Sequence, residues 1–408
     1  MALVRPFRAL RPDPAASSAV ASVPYDVVST DEARALAAGN PLSFLRVSRS
    51  EIELASDTDP YADVVYETAV ANFERLRRDA PLVVEDTPSL YVYRLQHAEH
   101  QQTGLAACYS LDEYDRGVIK RHERTRPDKE DDRTRHLLAL RAQTGVVFLT
   151  YRSLPATAAV LEHGTGGKPL FDVRAADGVR HSVWRLDPHD ATAAVAAFST
   201  VPVLYIADGH HRVASAARAR DDLRRSTDDQ GPIEADFVLG VAFPDTETRI
   251  QAYNRTVADL AGQTPQGFLD ALRARFPVRP NADPVPPRGH VAMYLEGAWF
   301  ALELSPGEEA GLDLADRLDV AVLQDQLLAP LLQVADIRTD PRVTFVGGAR
   351  GTEALESSVD AGRSAVAFSL SPVTTDDLFA VSDSGGIMSP KSTWFEPKLR
   401  DGLLIHEI

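Results

Sequence analysis

The sequence predicts a mixed α+β protein with more than one domain. Three observations carry this reading. The chain has 408 residues, more than one ordinary hydrophobic core holds. Short β-branched runs alternate with amphipathic helical stretches along it. Polar, proline-rich and glycine-rich breaks separate the two kinds of segment. With 44% hydrophobic and 25% charged residues, the composition is that of an ordinary globular protein. Neither the alternation nor its spacing fixes a topology.

The elements follow in chain order. Helices are expected over Thr30–Ala38 and Tyr61–Arg78, opening after the capping signals Ser29-Thr30 and Asp57-Thr58-Asp59-Pro60. A third is expected over Thr264–Phe276. Strand-like runs are Leu90–Tyr93, Val146–Leu149, Val201–Ala207 and Phe237–Phe243. Asp222–Gly231 and the proline-rich Asn281–Gly289 read as exposed connections. The glycine-rich turn His163–Lys168 resembles a phosphate loop only superficially. A Walker motif needs four residues between its glycines and a hydroxyl after its lysine, whereas Pro169 follows Lys168. It reads as a hairpin or surface loop.

Composition removes several function classes. One cysteine, Cys108, excludes an intramolecular disulfide framework and a multi-cysteine metal site. No apolar run approaches the roughly 20 residues that span a bilayer. The N-terminus lacks the apolar core of a signal peptide, so a cytoplasmic location is expected. The net charge of −16 argues against nucleic acid as a partner, because such binding draws on neutralisation of phosphates by Lys and Arg. No pattern encodes an oligomeric state.

The most informative segment is Val201-Pro-Val-Leu-Tyr-Ile-Ala-Asp-Gly-His-His-Arg212. An apolar run ends at Asp208-Gly209, and a helix-favouring stretch follows from about His210. Asp208 is a natural N-cap, and Gly209 permits a tight turn or a close backbone approach. A helix N-terminus presents unpaired N–H groups and partial positive charge, which suit phosphate. His210, His211 and Arg212 add donors in the same turn. Asp208 suits this setting if Mg²⁺ bridges its carboxylate and a phosphate. Adjacent helical histidines diverge by about 100°, which argues against a shared zinc.

Two further segments carry candidates. The run from Ile119 to His136 is basic in its first half and contains Glu123, which would take a proton from a substrate hydroxyl if phosphate-binding cations lie beside it. Read alone, it is also an ordinary solvated loop and helix start. Near the C-terminus, Ser389-Pro-Lys-Ser-Thr393 sets a lysine among hydroxyls on a proline-stiffened loop that can hold an anion. The closing run Gly402–Ile408 reads as a strand that ties the terminus down.

These segments, with Arg5-Pro-Phe-Arg8, Val23-Pro-Tyr-Asp-Val-Val-Ser29, His181, Trp184-Arg185 and Leu318–Leu323, resemble the DUF1015 family, related to free L-serine kinases with a ParB-like catalytic core. The resemblance runs the whole length. It implies an N-terminal α/β region at 1–110 and a ParB-like core at 111–260. A C-terminal α/β region at 261–408 would return its last segment to the active site. It implies that Glu123 is the catalytic base and that His211 assists catalysis. Gly209, His210, His211 and Arg212 would bind phosphate and Asp208 the metal. Ser389, Lys391, Ser392 and Thr393 would bind substrate. The implied activity is Mg²⁺-dependent transfer from ATP, ADP or pyrophosphate to the hydroxyl of free L-serine. This chain departs from the family pattern where Arg121 and Arg124 flank His122-Glu123, and at Ser43, where asparagine is more usual. Alternatives are a ParB-like nucleotide- or DNA-binding regulator without turnover, and a kinase for another small hydroxylated acceptor.

Overall fold

The structure, a computed structural model, describes residues 2–79, 82–226, 231–304 and 313–408. It is mixed α/β, and it divides into two compact units, each assembled from discontinuous segments. The first holds residues 1–120, 125–248 and 397–408; the second holds 121–124 and 249–396.

A nine-stranded mixed sheet is the frame of the first unit. Its strands are β1 (Val4–Arg5), β2 (Tyr91–His97), β3 (His100–Ser110), β4 (Ile119–Lys120), β5 (Val147–Tyr151), β6 (Phe171–Arg174), β7 (Arg180–Arg185), β8 (Leu204–Asp208) and β9 (Phe237–Pro244). The order is β4-β8-β5-β9-β3-β2-β7-β6, with β1 added alongside β3. Pairing is parallel at β4/β8 and β5/β9 and antiparallel elsewhere. The continuous apolar runs of β5 and β9 are buried at every residue, as strands with both faces covered require.

Among the described residues, six helices of eight or more residues accompany this sheet: α1 (Thr30–Ala37), α2 (Asp63–Asp79), α3 (Pro127–Leu140), α4 (Pro155–Gly164), α5 (Pro188–Phe198) and α6 (His210–Arg225). Ser29 opens α1 with a reciprocal capping box to Glu32. α3 packs on both α2 and α6, and α4 on α5. The core gathers Leu105, Val147, Leu149, Phe198, Leu204, Ile206 and Val213 around the sheet. The C-terminal residues join it by backbone pairing, His406–Glu407 against Ala142–Gln143 and Ile405 against Leu10.

Two expectations change in this unit, and the glycine-rich turn is a surface loop as expected. The run Val201–Ala207 becomes a strand only from Leu204, because Pro202 has no N–H to give a ladder. Asp222–Arg225, read as part of a loop, continues α6, where Arg224 pairs with Asp236; positions 227–230 of that segment lie outside the described residues. The glycine-rich turn at His163 ends α4, and Trp184 Nε1 donates to the Gly167 carbonyl at 2.8 Å.

The second unit carries a six-stranded antiparallel sheet of β10 (Tyr253–Val257), β11 (Val278–Pro280), β12 (Val291–Leu295), β13 (Ala298–Leu302), β14 (Val343–Gly347) and β15 (Val366–Leu370). Its order is β11-β13-β12-β15-β10-β14. The expected helix Thr264–Phe276 is present as α7 (Pro265–Arg273), capped by the Thr264 hydroxyl. Among the described residues no helix is long and apolar enough to cross a membrane.

Candidate active site

In the first unit the expected strand–turn–helix is present, with one change in its capping. β8 ends at Asp208 after a register irregularity against β5, and α6 begins at His210. Irregularities of this kind re-aim side chains beside functional sites. The N-cap of α6 is Gly209, not Asp208, and no side chain caps the helix. The cause is backbone geometry: this position has φ +103°, and a Cβ there would sit 3.2 Å from Arg212 Nη1. Asp208, still in the strand, accepts instead from Lys398 Nζ at 2.9 Å. Both partners are largely buried, so the pair is poorly screened.

The three residues after Gly209 diverge as a helix demands. His210 is buried. His211 is half-buried, and its Nε2 accepts from the Arg126 backbone N–H at 3.1 Å. Arg212 turns inward, donating to the Val146 carbonyl at 2.6 Å and to both Asp26 oxygens at 3.1 and 3.2 Å. Burial opposes its charge, but Asp26, Asp208 and Asp401 outweigh burial and hold its pKa above the ordinary value.

Around Arg212 lies a buried polar network. Arg133 stacks over the Tyr25 ring at 4.4 Å and pairs with Asp132 at 2.8 Å, while Asp132 accepts from Tyr66 at 2.8 Å. A cavity of about 40 Å³ is lined by Tyr25, Arg133, His136, Gln143, Arg212 and Asp401. His136 donates to the Val47 carbonyl at 2.9 Å, and burial together with Arg133 pushes its pKa down to about 4.

Asp401 is buried at 3% exposure, and burial raises its pKa from 3.8 to about 7 despite Arg212. The folded state therefore keeps a proton between these values that the unfolded chain has released. This group's stabilisation is full below about pH 4 and is lost as the pH rises through about 7. Asp401→Asn is expected to flatten that fall, worth roughly 4 kcal/mol at most. Urea midpoints of the two proteins at about pH 5 and pH 8 check it. Parallel pH profiles would contradict it.

The second unit holds the other candidates. Met388 N–H donates to the His122 carbonyl at 2.8 Å, and His122 Nε2 lies 3.1 Å from Thr393 Oγ1. Residues 121–124, which carry the half-buried Glu123, are thereby joined to the Ser389–Thr393 turn. Inside the turn Ser392 Oγ donates to the Ser389 carbonyl at 2.5 Å. Lys391 has φ +57° and holds its ammonium 5.7 Å from the Tyr253 ring centre. A cleft of about 380 Å³ beside the turn is lined by Arg124, Gln324, Ile337, Arg338, Met388 and Ser389.

The geometry thus brings Glu123 together with Ser389–Thr393 in one unit, and Asp208–Arg212 together with Lys398 in the other. Sequence reasoning missed Lys398, Asp26 and Asp401 as site residues. Asp26 lies inside the Val23–Ser29 motif, but only the fold reveals its partner 186 positions away and that of Lys398 190 positions away. For Mg²⁺, the first unit offers the Asp208 carboxylate. A single carboxylate fits an ion that takes its remaining ligands from substrate phosphates and water.

Solved structures that resemble this chain include the following. A free serine kinase in complex with AMP is 12% identical, covering 73% of this chain and 91% of its own, with a TM-score of 0.36. SbnI from Staphylococcus aureus, truncated at its C-terminus, is 13% identical over 74% and 87%, with a TM-score of 0.39. A conserved hypothetical protein from Pyrococcus furiosus is 13% identical over 74% and 95%, with a TM-score of 0.37. No curated protein matches the sequence. The family model described as protein of unknown function (DUF1015) matches residues 4–321, well over half of the chain, and the protein belongs to that family.

Proposed function

We propose that this protein is a Mg²⁺-dependent small-molecule kinase that transfers a terminal phosphoryl group to the hydroxyl of free L-serine, giving O-phosphoserine. The observation that carries the reading is the Asp208–Arg212 turn. There a 16-residue helix presents its N-terminus at the end of a buried strand, and Lys398 returns from the far end of the chain to the Asp208 carboxylate. A helix N-terminus with an adjoining lysine suits a phosphate, and a neighbouring carboxylate suits the metal that accompanies it. L-serine as acceptor rests on the resemblance set out from the sequence.

In this reading the α6 N-terminal amides, His210, His211 and Lys398 take the donor phosphates, and Asp208 holds Mg²⁺. The ion supplies charge neutralisation on the phosphate oxygens. Arg212, turned inward, supports the turn through its charge. Ser389, Lys391, Ser392 and Thr393 hold the amino acid. Glu123 accepts the serine hydroxyl proton as the Oγ–P bond forms. The bond from phosphorus to the donor's bridging oxygen breaks, and the donor leaves with that electron pair. Positioning and electrostatics supply the acceleration, with no covalent enzyme intermediate.

Incubating the purified protein with Mg²⁺ and ATP, ADP or pyrophosphate, with and without L-serine, tests the reaction class. One donor is expected to be consumed only when serine is present. Equal consumption without serine would replace the kinase by a phosphohydrolase, and retention on DNA with no donor loss would favour a binding protein.

A further inference from the structure

Arg255 is a buried cation that the reading above does not use. It projects from β10, a central strand of the second unit's sheet, and is 1% exposed. Nη2 donates to the carbonyls of Pro390 and Lys391 at 3.4 and 3.2 Å, and Nη1 donates to the Tyr253 carbonyl. Its guanidinium lies 5.6 Å from the Phe345 ring centre, and among the described residues its Nε has no hydrogen-bond partner. Among the described residues no carboxylate pairs with it, and burial pulls its pKa down to about 9.

Burying an arginine without a counter-ion is costly, and three neutral carbonyls offset only part of that cost. A hydrophobic residue would fill the same place in a sheet at no such cost. Two of the carbonyls it grips, those of Pro390 and Lys391, belong to the turn assigned to the substrate. In a planar trans peptide, the C=O and the following N–H point in opposite directions. With the Pro390 and Lys391 carbonyls drawn to Arg255, the N–H groups of Lys391 and Ser392 face away from it. Lys391, at φ +57°, supplies the left-handed residue from which such backbone anion nests are built.

We propose that Arg255 is the positioning residue of the Pro390–Ser392 turn, gripping its carbonyls so that the Lys391 and Ser392 amides present a polarised oxyanion site. The ligand class is a carboxylate or a phosphate group. As the substrate's recognition element the site rests on the kinase reading, where the amino acid's carboxylate would occupy it. Through Thr393 and Met388, which bond His122, the same grip also fixes the segment carrying Glu123.

The test uses the full chain, with Arg255→Met and Arg255→Lys. Arg255→Lys decides the matter if Arg255→Met does not fold. Amide exchange at Met388 is expected to accelerate about tenfold or more in Arg255→Lys, with β12 and β15 amides unchanged. Titration with inorganic phosphate, and in parallel with acetate, is followed on the Lys391 and Ser392 amide resonances. Its midpoint is expected to rise about tenfold in the variant, the scale of one charge-assisted hydrogen bond. The tighter anion of the two tells a phosphate site from a carboxylate site. Exchange within about twofold of the wild type, or wild-type amides that respond to neither anion, would overturn the proposal. Neither readout needs phosphoryl transfer, so a protein that makes no phosphoserine can still pass this test, and an active kinase can fail it.

Discussion

Glu123→Gln is expected to lower the rate of phosphoserine formation by roughly 10²–10⁴-fold, the usual contribution of general base catalysis. Gln keeps the size of the side chain and removes its capacity to accept a proton. The segment's anchors are made by His122, through Met388 N–H and Thr393 Oγ1, so the substitution leaves those bonds in place. Donor KM is expected to be unchanged, because Glu123 acts on the acceptor hydroxyl and not on the phosphates. Steady-state rates of variant and wild type, compared at equal thermal stability, check the expectation. A folded variant turning over at the wild-type rate would remove Glu123 from the role of base.

Arg212→Met is expected to produce the largest loss of stability, about 3–5 kcal/mol. Arg212 is 8% exposed, and its removal leaves the Asp26 carboxylate without the guanidinium it pairs with at 3.1 Å. It also orphans the Val146 carbonyl. The loss is therefore mostly the penalty of stranded charge, and Asp26→Asn in the same chain is expected to recover part of it. A coupling of roughly 0.5–3 kcal/mol in a double-mutant cycle is the signature. Denaturant unfolding of the wild type, both single variants and the double variant measures it. A cost below about 1 kcal/mol for Arg212→Met would mean that the network is solvated and carries little.

The sequence made the local elements readable where a local signal exists. Ser29-Thr30 announces α1, and the structure begins that helix at Thr30, with Ser29 and Glu32 forming a reciprocal cap. The apolar run from Phe237 extends one residue further than expected, to Pro244. The strand–turn–helix at Asp208 was visible because Asp-Gly interrupts two strongly patterned segments. Its capping was not: the choice between Asp208 and Gly209 depends on a backbone angle that residue type alone does not set. Likewise β4/β8 and β5/β9 are parallel while their neighbours are antiparallel, and no periodicity distinguishes the two. The hidden part of the site consists of long-range partners. Lys398 meets Asp208, and Arg255 meets Pro390 and Lys391, across more than 130 residues of chain. Arg255 in particular sits in a strand of ordinary β pattern, and only its burial marks it out.

The most direct test of the central claim is a phosphorus NMR time course of the purified protein with Mg²⁺, L-serine and each donor in turn. An O-phosphoserine resonance is expected that grows as the terminal phosphate of one donor disappears. A folded protein that leaves every donor intact, or that releases only inorganic phosphate, would contradict it.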